Sequence, residues 1–207
     1  MAERVPPGRA GRLWLLARLD AARRGRELLD RKQQLLTREQ QRLALLADER
    51  RKSWEEACAD AQRWSLRAAI LGGTATTALF AGAVAGRATV DVLWRNTMGV
   101  THPDDAHCAF PTLTPAVAVA GNAALAPAAQ AHRKALEAAI DAAIAATARE
   151  RIEDELRATQ RRLRGLERHR IPELERSLHE LQFRLDELER EERVVTRWAR
   201  ERRKVDA

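Results

Sequence analysis

Two leucine patterns at opposite ends of the chain constrain its fold more than any other feature. Near the C-terminal end Leu174, Leu178, Leu181, Leu185 and Leu188 step by four and three. Near the N-terminal end Leu15, Ala22, Leu29, Leu36 and Leu43 recur every seven residues, and the doublets Leu28/Leu29 and Leu35/Leu36 widen the stripe. Seven-residue apolar spacing makes a narrow seam along one side of an α-helix, which is covered most simply by a second such helix. Between the patterns, residues 68 to 130 contain few charges and hold most of the prolines beyond the N-terminus. The chain therefore divides into an N-terminal helix over 1–67, a middle region over 68–130 and a C-terminal helix over 131–207. The expected fold is all-α: a long antiparallel two-helix coiled coil with a small middle insert. Some 55 paired residues would make a rod of roughly 80 Å.

Composition agrees. Three Phe, no Tyr and 32% charged residues in 207 leave little aromatic mass for a thick globular core. Net charge is +7, with about +6 in residues 1–67, about −1 in 68–130 and about +2 in the rest. A basic balance admits nucleic acid, an anionic membrane or an acidic protein, but here acids and bases interleave as they do on solvated helix faces. A basic coiled-coil scaffold or nucleic-acid binder is the alternative reading. Cys58 and Cys108 make no disulfide framework, and no secretory signal opens the sequence, so a cytoplasmic location is expected.

Within the middle, "RATVDVLWRNTMGVTHP" (residues 87–103) partly alternates and reads as a short strand or hairpin leading into a turn at Asn96 and Gly99. "HPDDAHC" (His102 to Cys108) carries metal-ligand residue types without the paired spacing of a structural zinc site, and is expected to be exposed loop. The uncharged run 68–86 is nearly of spanning length, but Ala, Gly and Thr supply too little transfer energy for insertion. No phosphate loop, HExxH, nucleophile elbow or CxxC is present, so neither catalysis nor a bound cofactor is expected.

Pro172 interrupts the second leucine pattern, where Leu166, Arg170, Leu174 and Leu178 slip to steps of four. A proline inside a helix removes one hydrogen bond and crowds the carbonyl four residues back, at a cost of about 3 kcal/mol. Either a bend or a break between packed segments would accommodate it.

Three stretches together resemble the D subunit of the V-type ATPases, the central axle of a rotary motor. The first, "PGRAGRLWLLARLDAARRGRELLDRK", matches through Pro7, Arg9, Leu13, Leu15, Arg18, Leu19, Ala22, Gly25, Leu28, Leu29 and Lys32. The second, "TQRRLRGLERHRIPELE", matches through Thr159, Arg161, Arg162, Leu166, Glu167, Ile171, Pro172 and Leu174. The third, "NTMGVTHP", matches through Asn96, Met98, Gly99, Val100 and Pro103. Arg164 and Gly165 depart from that family's usual Asn and Ala.

The resemblance implies a non-catalytic rotor component without cofactor or metal. It would couple ATP hydrolysis or synthesis to ion translocation by turning inside a ring of A and B subunits. Its other partners would be the small F subunit of the rotor and a socket subunit above the membrane ring, with neither nucleic acid nor direct membrane insertion. On that reading Arg9, Arg12, Leu13, Leu15, Leu16, Leu19, Arg200 and Arg203 contact the ring. Gly25, Leu28, Leu29, Leu36, Leu163, Leu166, Ile171, Pro172, Leu174, Leu178, Leu181 and Leu185 pack the shaft, with Gly25 allowing close approach. Asn96, Gly99, Val100 and Pro103 form the middle-region turn.

Overall fold

The computed structural model describes residues 5–82, 86–111 and 122–205. Helix α1 spans Gly8–Gly82 and is interrupted at Gly73. Strands β1 (Thr89–Thr97) and β2 (Val100–Ala109) form an antiparallel hairpin. Helix α2 (Leu125–Gly165) leads through a π-turn at Leu166–Arg170 into α3 (Ile171–Val205). The expected all-α coiled coil with a small hairpin insert is the observed architecture. Helix α1 runs beyond the charge boundary at 67/68, because the uncharged run after it is rich in Ala and continues to favour helix. Helix α2 starts inside the middle region, where the Asn122 carboxamide accepts the Ala124 N–H and caps it.

The chain forms two compact units. One comprises residues 1–34 and 157–207, the other residues 35–156. In the first, Leu15, Leu19 and Leu174 are buried, with Trp14, Ala22, Ile171, Leu178 and Leu181 packed around them. Arg9 pairs with Glu189 at 3.2 Å, Arg23 with Glu175 at 2.8 Å and Arg26 with Glu167 at 3.5 Å. Partner numbers fall as α1 numbers rise, which is antiparallel pairing. The second unit has the same sense. Leu36 and Leu43 bury against Ala148 and Ile152, Ala61 against Ala131 and Ala135, and Ala68 against Ala124, Leu125 and Ala128. Leucines make the seam at Leu36 and Leu43, whereas alanines dominate it near Ala61 and Ala68.

Pro172 causes no break in the helix. The Ile171 N–H reaches the Leu166 carbonyl, five residues back, so the turn just before the proline is wider than an α-turn. That wider turn also resolves the slipped spacing. Leu166 and Ile171 are five apart, yet sit on successive turns, and Ile171 joins the buried cluster around Leu174.

Two shaft positions differ from expectation. Leu28 is 65% exposed and lies off the seam. A Cβ placed on Gly25 would meet Leu166 Cδ1 at 3.9 Å, ordinary van der Waals contact, so helix approach here does not require glycine. Thr159 is fully buried in α2 with no partner for its hydroxyl. Two substitutions should therefore stabilise the protein. Gly25→Ala removes the glycine penalty, about 1 kcal/mol, and Thr159→Val removes an unpaired buried hydroxyl, also about 1 kcal/mol or more. Leu36→Ala should cost about 3 kcal/mol. Urea unfolding of the full chain measures all three.

Candidate functional site

The first candidate surface is the terminal face, built by the start of α1 and the end of α3. Seven-residue spacing sends Leu15 and Leu19 inward, where they are buried among Leu174 and its neighbours. They are not part of the exposed surface, which on α1 includes Arg9, Arg12, Leu13 and Leu16. Helix α3 continues past Glu189, the partner of Arg9, and every residue from Arg190 to Arg202 is exposed. Val194, Val195 and Trp198 lie on this segment, with Val195 and Trp198 both 67% exposed. Residues three and four apart share a helix face, so these side chains form one apolar strip that continues back toward Leu188. Arg197 and Arg200 flank it. The side chain of Arg203 lies outside the described residues. Apolar spacing within a charged run is the signal that marks this strip, and the count of cations alone obscures it.

The hairpin is the second surface. Met98 and Gly99 both have positive φ, 51° and 84°, as a two-residue turn compatible with strand twist requires. Asn96 Oδ1 accepts the Gly99 N–H at 3.1 Å, and Asn96 Nδ2 donates to Thr101 Oγ1 at 3.3 Å. The stretch His102 to Cys108, expected as exposed loop, is β2. Its Pro103 is tolerated beside a register irregularity at Leu93/Trp94, where the ladder needs no donor from it. His102 is fully buried. Its Nδ1 donates to the Pro103 carbonyl at 3.0 Å, which leaves Nε2 to accept the Thr97 hydroxyl at 3.0 Å. Asp104 pairs with Arg95 at 2.9 Å. Among the described residues no group of three or more His, Cys, Asp or Glu could hold a metal ion.

The helices hold this hairpin through residues of both strands near its turn. Val100 packs on the Leu36–Leu43–Ile152 cluster. Arg151 donates to the Thr101 carbonyl at 3.0 Å and stacks on the Trp94 ring at 5.0 Å. Val90, Val92, Leu93, Trp94 and Met98 remain exposed. Close by, Arg42 grips Glu39 through two bonds of 2.7 and 3.0 Å. That hydrogen bonding holds the Glu39 carboxyl below its ordinary value of 4.5 against a partial opposing effect of burial, and the Arg42 charge adds to the lowering.

A third surface is an apolar groove of about 490 Å³ between α1 and α2. Ala139, Ala142, Ala143 and Ala146 floor it, and Trp54 forms one rim. No helix among the described residues is long and apolar enough to cross a membrane.

A depressed carboxyl pKa means that Glu39 binds its proton more weakly in the folded chain than in the unfolded one. Its stabilising contribution is thus complete above pH 4.5 and is lost as pH falls through the lowered value. Melting curves from pH 6 to 3 should show a smaller acid-induced loss for Glu39→Gln than for the parent.

Comparison with known proteins places this architecture. Residues 13–201 match the family model for the D subunit of ATP synthase. The V-type ATP synthase D subunit of Thermotoga neapolitana is 31% identical over 191 residues, covering 91% of this chain and 93% of that protein. With a family match across nearly the whole coiled coil and its hairpin, the chain belongs to the ATP synthase D-subunit family.

Proposed function

We propose that this chain is the central stalk, or rotor axle, of a V-type ATPase or ATP synthase. As a non-catalytic component it transmits torque between a ring of A and B subunits and a membrane ring that moves ions. The terminal face sits inside the A/B ring, the F subunit binds along the side of the shaft, and a socket subunit receives residues 68–86. The complex lies peripheral to the membrane, on its cytoplasmic side. The family membership supports this reading, and the observation that carries it is the strip of Val194, Val195 and Trp198 on a helix segment exposed on every side. Apolar area left to water costs about 25 cal/mol per Å², so such a strip on a basic segment calls for a protein surface to cover it.

Mechanical coupling suits a coiled coil because paired helices resist twisting far better than a loop. The cations around the strip act differently. Exposed charges are screened over about 8 Å at physiological salt, so they can face acidic neighbours without fixing the shaft in one orientation. Leu13 and Leu16 extend the apolar bearing onto α1.

The test uses complexes reconstituted with the full-length chain. Val194→Ser, Val195→Ser and Trp198→Ser together should weaken ring assembly and coupled rotation about tenfold or more. Arg9→Gln, Arg12→Gln, Arg200→Gln and Arg203→Gln together should do so less, at both low and high ionic strength. Equal losses from the two sets, reproduced by salt on the parent, would mean that charge carries the contact and the apolar bearing is wrong.

The hairpin offers a separate test of side binding. Thr89 and Ala109 are paired neighbours, so excising residues 89–109 rejoins ends that already lie side by side. The excised chain should keep its helicity by circular dichroism and lose coupling or its hold on the F subunit. Unchanged binding, rotation and ATPase activity would remove the hairpin from the mechanism.

A further inference from the structure

The last two turns of α1 do not continue its course. Gly73 has φ 76° and ψ 160°, which no helical residue adopts. Ala68, before it, and Phe80, after it, both pack on Ala124, Leu125 and Ala128. In an unbroken helix those two residues would be about 18 Å apart, whereas their shared target is a single turn of α2. The chain therefore doubles back at Gly73, and residues 74–82 form a short arm. Ser65, from the main course of α1, and Thr77 and Phe80, from the arm, line one cleft of about 440 Å³ together with Leu125, Ala128 and Leu136.

One residue clasps this reversal. Asn122 Nδ2 donates to the Ala68 carbonyl at 3.0 Å, its Oδ1 accepts the Ala124 N–H at 3.0 Å, and its own carbonyl accepts the Leu125 N–H at 3.1 Å. A single side chain thus ties α1 just before the break to the first turn of α2. Gly72 provides the room, because a Cβ there would collide with the Asn122 amide. Nothing lies within 4 Å of a Cβ placed on Gly73, so its glycine serves backbone conformation alone.

The arm itself would sit equally well in a straight helix. "TATTALFAG" contains no proline and no charge, and Thr76 and Thr77 donate to the carbonyls of Gly72 and Gly73. Straightening would restore helical hydrogen bonds across Gly73. Against it, among the described residues, stand the packing of Phe80 and the Asn122 clasp.

We infer that residues 74–82 are a two-position element: folded back when Asn122 engages Ala68, and extended in line with α1 when it does not. Gly73 is the hinge and Asn122 the positioning residue. Extension takes the arm off α2 and opens the cleft along Leu125 and Leu136, so the arm acts as a strap over that apolar floor. The strap does not depend on the proposed rotor role.

Spin labels on Gln62→Cys and Ala81→Cys, in the full chain with Cys58→Ser and Cys108→Ser, report the position directly by electron–electron distance measurement. A straight helix separates the two sites by about 28 Å, and the folded arm holds them much closer. The parent should show mainly the short distance. Gly73→Ala removes the residue that tolerates positive φ and should shift the distribution to the long distance. Asn122→Asp keeps the acceptor that caps α2 and loses the donor to Ala68, so it should raise the long-distance fraction roughly three- to tenfold. Circular dichroism verifies that both variants fold. A parent showing only the long distance would refute the reversal, and a short distance unchanged in both variants would refute the hinge.

Discussion

Everything else in this molecule rests on a seam one or two side chains wide. Within each unit the paired helices share a narrow set of buried side chains, Leu15 and Leu19 in one, Leu36 and Leu43 with alanines around Ala61 and Ala68 in the other. A seam this narrow fixes register strongly, because a helix rotated by one residue would turn its leucines to water and its arginines inward. It also leaves most of each helix surface free. The interhelix ion pairs Arg9–Glu189, Arg23–Glu175 and Arg50–Asp141 lie on the solvated flanks and add little energy each, but they agree with the same register. They also account for part of the positive charge, which is balanced within the pair of helices rather than displayed as a continuous basic track.

Where the seam is made of alanine, each position buries less, and other elements compensate. The hairpin puts Val100 against the leucine cluster and Arg151 across Trp94, while Phe80 and Trp64 pack on the Ala68–Ala128 contact. The second unit is in this sense a coiled coil supported from its flanks. The first unit has leucines for its own seam and uses flanking positions for exposed apolar residues instead.

The helices, their antiparallel pairing and the Asn96–Gly99 turn are legible in the sequence because each follows from period or from local turn chemistry. The second strand is not. "HPDDAHC" has no clean alternation and carries a proline, and it becomes a strand only because β1 supplies a ladder and a register irregularity accommodates Pro103. The reversal at Gly73 is equally hidden, since Gly72, Gly73 and the residues after them could continue a helix; contacts more than fifty residues away, through Asn122, decide otherwise. For the terminal face, charge and leucine count single out residues without separating the buried from the exposed. Leu15 and Leu19 complete the seam, and Val194, Val195 and Trp198 form the exposed strip. Gly25 shows the limit of reading a motif without geometry, for its surroundings would admit a methyl group.

The π-turn at Leu166–Arg170 has a directional consequence. Each residue advances a helix by about 100°, so the extra residue held in this turn is a fixed angular offset between the part of the helix before it and all of α3. Were this turn to tighten into an ordinary α-turn with all of its residues kept, everything downstream would be turned by about 100°, a quarter to a third of a revolution, about its own axis. Leu174 and Leu178 would leave the seam, and the strip at Val194 and Trp198 would point in a different direction around the helix. Pro172 disfavours that ordinary turn by withholding an N–H and crowding the carbonyl behind it. The proline that looked like an interruption thus sets the azimuth of the chain's last thirty or so residues.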